Sequence, residues 1–213
     1  MMNKCAQRGM CYHLGSVNGG VEGFQYGDCI ANGLIHPIVY YKRETPMDKR
    51  GIIEIIDFLV NKLGGDWFLT GGALVKISFD ESRGTEDVDL LRIRHPRLSD
   101  EGAKNKLFRW LIDRGLGPEW VNTAVEPFVR EVPKWEDETV LIKQGKLGCV
   151  FRPNLTLFVY LKLRRASEID IKDIQTALQC CPEGLDEEKL LHWPNEKVHK
   201  NYLKFKSKPK MAR

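Results

Sequence analysis

Asp87 and Asp89 flank Val88 in the stretch Asp87-Val-Asp-Leu-Leu-Arg-Ile93, which is otherwise apolar and β-like. On a strand, carboxylates at i and i+2 point to one face. Two like charges held that close repel each other unless a cation lies between them. Oxygen-only ligands suit Mg²⁺, or Mn²⁺, and Mg²⁺ keeps waters and shares itself with substrate phosphates. Upstream, the apolar Phe68-Leu69 runs into Thr70-Gly71-Gly72, and a helix-sized segment follows. Glycines let a backbone approach a phosphate, and a helix N-terminus just after them favours an anion. Glycine turn, acidic pair and divalent metal together are the parts of phosphoryl or nucleotidyl transfer.

A second group lies far along the chain, in Lys162-Leu-Arg-Arg165 and Asp170-Ile-Lys-Asp173. Lys162 and Arg165 share a helical face at i, i+3. Asp170 and Asp173 repeat that spacing at the start of the next helix, where acids favour the macrodipole. Taken locally, this is an acid pair at a helix start with adjacent surface salt bridges.

The elements needed to position these residues are legible. Thr45-Pro46-Met47-Asp48 reads as a helix start with Thr45 capping. Ile52, Ile55, Ile56, Leu59, Val60 and Leu63 follow at helical spacing, and Gly64-Gly65 stops them. A strand is expected over 66–70, a helix over 73–79, a polar loop over 80–85 and a strand over 87–93. Ser99 or Asp100 caps a helix that stops near Gly115. Strands over 140–143 and 147–152 form a hairpin around Gly145. Helices are expected over 154–165 and 169–178, with a short one over 186–191. Alternating helices and strands indicate an α/β (α+β) fold: a small mixed sheet flanked by helices, with a helical C-terminal portion.

Three regions are expected. Residues 1–44 lack sustained periodicity and read as a poorly structured extension, or as sequence upstream of a start at Met47. Cys5, Cys11, His13, Cys29 and His36 do not have the spacing of a zinc knuckle. Residues 45–195 form the domain. Residues 196–213 form a basic tail. Six basic side chains, from Lys200 to Arg213, have no acid among them from Val198 onward, against a net charge of +4 for the whole chain. That tail reads either as a solvated end or as a phosphate-binding arm with Tyr202 and Phe205 stacking on bases. No apolar run has the roughly 18 residues of a membrane span, and no secretory signal is visible. Scattered cysteines indicate a cytoplasmic protein with reduced thiols.

The Thr70-Gly71-Gly72 and Asp87-Val-Asp89 pattern resembles the DNA polymerase β-type nucleotidyltransferase superfamily. Here the gap between the two parts is long, and Thr70 stands at a usually apolar position. The fuller string Arg83-Gly-Thr85-Glu-Asp87-Val-Asp89, followed by Lys162 and Asp170-x-x-Asp173, looks like the bacterial AbiEii-toxin-like proteins of abortive-infection and toxin–antitoxin systems. The resemblance implies a nucleotidyltransferase fold. It implies transfer of a nucleoside monophosphate from a nucleoside triphosphate to RNA, tRNA or protein, and a possible cognate antitoxin. Asp87 and Asp89 would hold metal. Gly71, Gly72, Arg83 and Thr85 would bind nucleotide. Lys162 would meet the triphosphate, with Asp170 or Asp173 orienting it or acting near the nucleophile. Arg83 would alternatively brace its loop through Asp80 or Asp87. Trp120-Val-Asn122 would border the pocket, or Trp120 would pack in the core. Glu126, Glu131 and Glu138 are the candidates for a third carboxylate. Two readings compete: a degenerate module that binds nucleotide or RNA without turnover, and a non-enzymatic partner protein.

Overall fold

The computed structural model describes residues 47–94, 97–181 and 184–207, together with the backbone of 24–31 and 34–41. Strands β1 (Phe24–Ala31) and β2 (Leu34–Tyr41) pair antiparallel in a separate two-stranded sheet. Regular structure therefore occurs inside a stretch where the sequence shows no periodicity. The cysteine and histidine side chains considered for zinc, and Thr45 and Pro46, lie outside the described residues.

Helix α1 (Lys49–Phe58) is capped by Asp48, whose Oδ1 accepts from the Gly51 amide at 2.7 Å. The cap is thus Asp48 and not Thr45. Met47 is fully buried, and its amide donates to the Thr85 carbonyl at 2.7 Å. A π-helical turn (Leu59–Leu63) follows α1 and ends at Gly64, whose φ of 86° suits glycine. That turn holds the hairpin described next: Val60 presents its carbonyl to the Leu147 amide at 2.8 Å.

Five strands form one mixed sheet in the order β5–β4–β3–β7–β6. They are β3 (Gly65–Thr70), β4 (Val88–Arg94), β5 (Val121–Asn122), β6 (Thr139–Gln144) and β7 (Gly148–Pro153). Central β3 pairs antiparallel with β4 and parallel with β7. Trp67, Phe68 and Leu69 are consecutive and all buried, so β3 is covered on both faces. Each fully buried large apolar side chain contributes roughly 1.5–3 kcal/mol.

Helix α2 (Gly71–Ser78) leaves β3 with no intervening loop, and α3 (Asp100–Ile112) is capped by Ser99. A short α4 (Glu126–Arg130) follows β5. The C-terminal portion is helical: α5 (Leu155–Arg165), α6 (Glu168–Cys180), α7 (Glu187–His192) and α8 (Glu196–Ser207). Helix α5 packs against α6, α7 and α8. It is accordingly buried through almost its whole length, from Leu155 to Tyr160 and again at Lys162 and Leu163. No described helix is long and apolar enough to cross a membrane.

Helix α8 replaces part of the expected tail. Val198 is fully buried, Tyr202 is only 2% exposed, and the Asn201 amide donates to the Leu163 carbonyl of α5 at 2.7 Å. Tyr202 and the half-buried Phe205 pack on the core, so neither stands free to stack on a base.

Candidate functional site

Three residues align across the sheet: Thr70 on β3 faces Asp89 on β4, and Asp89 faces Asn122 on β5. Asn122 Nδ2 donates to Asp89 Oδ1 at 2.8 Å, and Asn122 Oδ1 accepts from the Ala124 amide at 2.9 Å. Gly71 begins α2 at φ +72°, and a Cβ there would lie 1.6 Å from Asp89 Oδ2. Glycine at this position is therefore required twice, by backbone conformation and by the carboxylate over the start of α2. At Gly72 a Cβ would meet Thr85 Oγ1 at 2.7 Å. Thr85 in turn donates to the Asp87 carbonyl at 3.0 Å and fixes the approach to β4.

Strand β4 starts at Val88, so Asp87 occupies the turn before it while Asp89 lies on the strand. Asp89 lines a cleft of about 520 Å³ with Gly71, Asn122, Lys162, Arg165 and Asp170. Burial first, and the charge of Asp87 second, raise the Asp89 pKa to about 6 against the pull of Lys162, Asn122 and Arg165. Burial also raises that of Asp87, opposed by a hydrogen bond from Asn122. Both carboxylates resist ionisation where they stand, and a cation between them would relieve both. Two carboxylates suffice for Mg²⁺, which takes its other ligands from water and substrate phosphates. The donor set thus fits that metal.

The opposite wall comes from α5 and α6. Lys162 is 8% exposed, and its Nζ donates to Asp173 Oδ2 at 2.7 Å and to Asp170 Oδ1 at 3.5 Å. Asp173 also accepts from Arg83 Nε at 2.9 Å. Asp170 receives a bidentate pair from Arg165, at 2.7 and 2.8 Å, and the Ser167 hydroxyl at 2.6 Å. Charges therefore alternate along Arg83–Asp173–Lys162–Asp170–Arg165. Burial would raise the Asp170 pKa, but Arg165, Ser167 and Lys162 outweigh it and hold the value at about 2.

Of the residues singled out in the sequence, Thr70, Gly71, Asp89, Asn122, Lys162, Arg165 and Asp170 line the cleft. Gly72, Arg83, Thr85, Asp87 and Asp173 are not among its lining residues and support those that are. The Arg83 guanidinium pairs with neither of its expected loop partners, Asp80 and Asp87, but with Asp173 on α6. Asp170 does two jobs: it completes the capping box of α6 with Ser167, and it holds Lys162 and Arg165. Trp120 packs on the core, while Asn122 enters the cleft. The candidates for a third carboxylate lie elsewhere: Glu126 with Arg130, Glu131 with Arg164 and Asn195, and Glu138 with Asn154 and Lys189. Among the described residues no group of three His, Cys, Asp or Glu side chains is arranged to hold a metal.

Sequence reasoning missed Phe128, Arg164 and Lys197 as lining residues. Lys197 belongs to α8, whose basic composition reads as tail. Arg164 adjoins the recognised Lys162 and Arg165 but carried no spacing signal of its own. No family model, curated protein or solved structure matches this chain.

Proposed function

We propose that this protein is a Mg²⁺-dependent nucleotidyltransferase. On this reading it moves a nucleoside monophosphate from a nucleoside triphosphate to a macromolecular acceptor, RNA, tRNA or protein. The sheet and helices around the cleft are then a nucleotidyltransferase fold. The observation that carries the reading is that Asp89 and Lys162, far apart in sequence, line one cleft that also contains the glycine start of α2. The glycine, Asp-x-Asp and Lys…Asp-x-x-Asp motifs support it independently.

Asp89, which lines the cleft, would hold the divalent ion, with Asp87 just before β4 as the second carboxylate. When bound, the ion would supply Lewis-acid stabilisation of charge on the phosphoryl oxygens. Gly71 adds no side chain of its own beside the Asp89 carboxylate at the start of α2, so a phosphate sharing the ion with Asp89 would meet the backbone there. Lys162 and Arg165 offset the triphosphate charge from the other wall, in a site already arranged before substrate arrives. Asp170 and Asp173 orient the lysine. With a pKa of about 2, Asp170 is a poor proton acceptor near neutrality, so its part is positioning and not general-base catalysis.

The test incubates the protein with each labelled nucleoside triphosphate, Mg²⁺ and total RNA, alongside Asp87→Asn and Asp89→Asn. Transfer by the wild type and its loss in both variants is the expected result. Unchanged transfer in both variants would sink the mechanism. Mg²⁺-dependent nucleotide binding without turnover would instead identify a degenerate binding module, and absence of binding a non-enzymatic protein.

A further inference from the structure

One side of the cleft takes no part in the chain of alternating charges. Ala124, Val125 and Phe128, at and just before α4, line it together with Leu161 of α5. Phe128 is 47% exposed and lines the same cleft as the other three apolar side chains. Its ring lies 4.8 Å from the Arg164 guanidinium, which is itself fixed by an ion pair with Glu131. Ring and guanidinium both line the cleft, and the ring keeps about half of its surface uncovered.

The cleft is divided as a nucleotide is divided. Lys162 and Arg165 offer charge on one side, and Phe128 with its apolar neighbours offers a surface for a flat ring. We infer that the Phe128 wall is the subsite for the base of the donor nucleotide, which it takes by stacking. This rests on the reading of the cleft as a triphosphate site. A volume of about 520 Å³ lies within the roughly 300–1,000 Å³ of small-molecule sites, so one whole nucleotide fits. That favours the donor's base over a base of a longer acceptor strand. Two of the cleft's polar side chains are already engaged: Asn122 with Asp89 and Ala124, and Arg164 with Glu131. Every base has a π-face, so stacking without edge recognition is tolerant. The four nucleotides therefore bind within about tenfold of one another, and all bind more tightly than the triphosphate alone.

The experiment measures Mg²⁺-dependent binding of inorganic triphosphate and of non-hydrolysable analogues of the four nucleoside triphosphates to the full chain. The variants are Phe128→Ala, Phe128→Trp and Lys162→Arg. Wild type is expected to prefer the nucleotides over triphosphate by about 5- to 150-fold, the range for a base stacked on an aromatic side chain. Phe128→Ala abolishes the preference and leaves triphosphate affinity unchanged, while Phe128→Trp keeps it. Lys162→Arg changes both affinities together. Equal wild-type affinity for nucleotide and triphosphate, or a preference that survives Phe128→Ala, overturns the subsite while leaving the triphosphate site standing. Binding of neither ligand overturns both. A preference that appears only when an acceptor RNA is added assigns the ring to the acceptor and overturns the donor assignment.

Discussion

Replacing Lys162 by Met deletes one charge from a buried network and nearly preserves the side chain's bulk. Lys162 Nζ lies 2.7 Å from Asp173 and 3.5 Å from Asp170 at 8% exposure, so solvent cannot substitute for it. Breaking a buried pair by removing one partner costs about 3–5 kcal/mol, because the other charge stays behind. Asp173 retains Arg83 and Asp170 retains Arg165 and Ser167, which places the loss at the low end, about 3 kcal/mol. For a chain of this size that corresponds to a fall in Tm of about 6–12 °C. Urea denaturation followed by tryptophan fluorescence, with calorimetry, gives the value. Lys162→Met combined with Asp173→Asn removes the stranded charge too, so the pair is expected to be less damaging than the sum of the singles by about 1–3 kcal/mol. A single variant within about 0.5 kcal/mol of wild type, as for an exposed lysine, refutes the argument. So does strict additivity in the double variant. Because the charge also supports the fold, any loss of transfer on replacing Lys162 must be measured well below the variant's own Tm.

The stability that Asp170 supplies depends on pH in a stated direction. Its pKa falls from 3.8 to about 2 on folding, so its contribution, about 2 kcal/mol, is complete above pH 4 and disappears as the pH falls towards 2. The stability gap between wild type and Asp170→Asn therefore narrows in acid, and a gap independent of pH between 6 and about 2 contradicts it. Gly71→Ala forces a Cβ against the Asp89 carboxylate in a left-handed conformation and is expected to cost at least about 1–3 kcal/mol. At Gly84 no atom lies within 4 Å of the added Cβ, so Gly84→Ala is the matched control; equal stabilities for the two in chemical denaturation rule out the strain.

Local signals carried most of the architecture. Asn154 and Ser99 cap the helices whose starts they marked, and Gly115 lies in the left-handed conformation at the end of the third. Asp89 and Lys162 were recognisable from motif alone. Their meeting was not, because the pairing that joins the two halves, Arg83 to Asp173, spans 90 residues and leaves no periodic trace. Helix α8 was hidden for another reason. Val198 and Tyr202 are i, i+4 neighbours and bury one stripe, but the lysines between and after them dominate the composition. A narrow stripe under many charges is read as polar unless the helical spacing is weighed first. Phe128 was missed because an aromatic in an irregular stretch resembles core until its exposure is known.

The cleft is assembled from both ends of the domain, and this orders its completion in time. Asp89 emerges from the ribosome early, while Lys197 of α8 follows roughly a hundred residues later, about 5–20 s at ordinary rates of synthesis. Until α5 and α8 have docked, Asp89 stands without Lys162, Arg165 and Lys197, the cations that line the cleft with it. A nascent chain thus carries the acidic half of the cleft before its basic half. On the proposed reading, nucleotide binding arrives only with the helical cover, and a product truncated before α5 is expected to bind none.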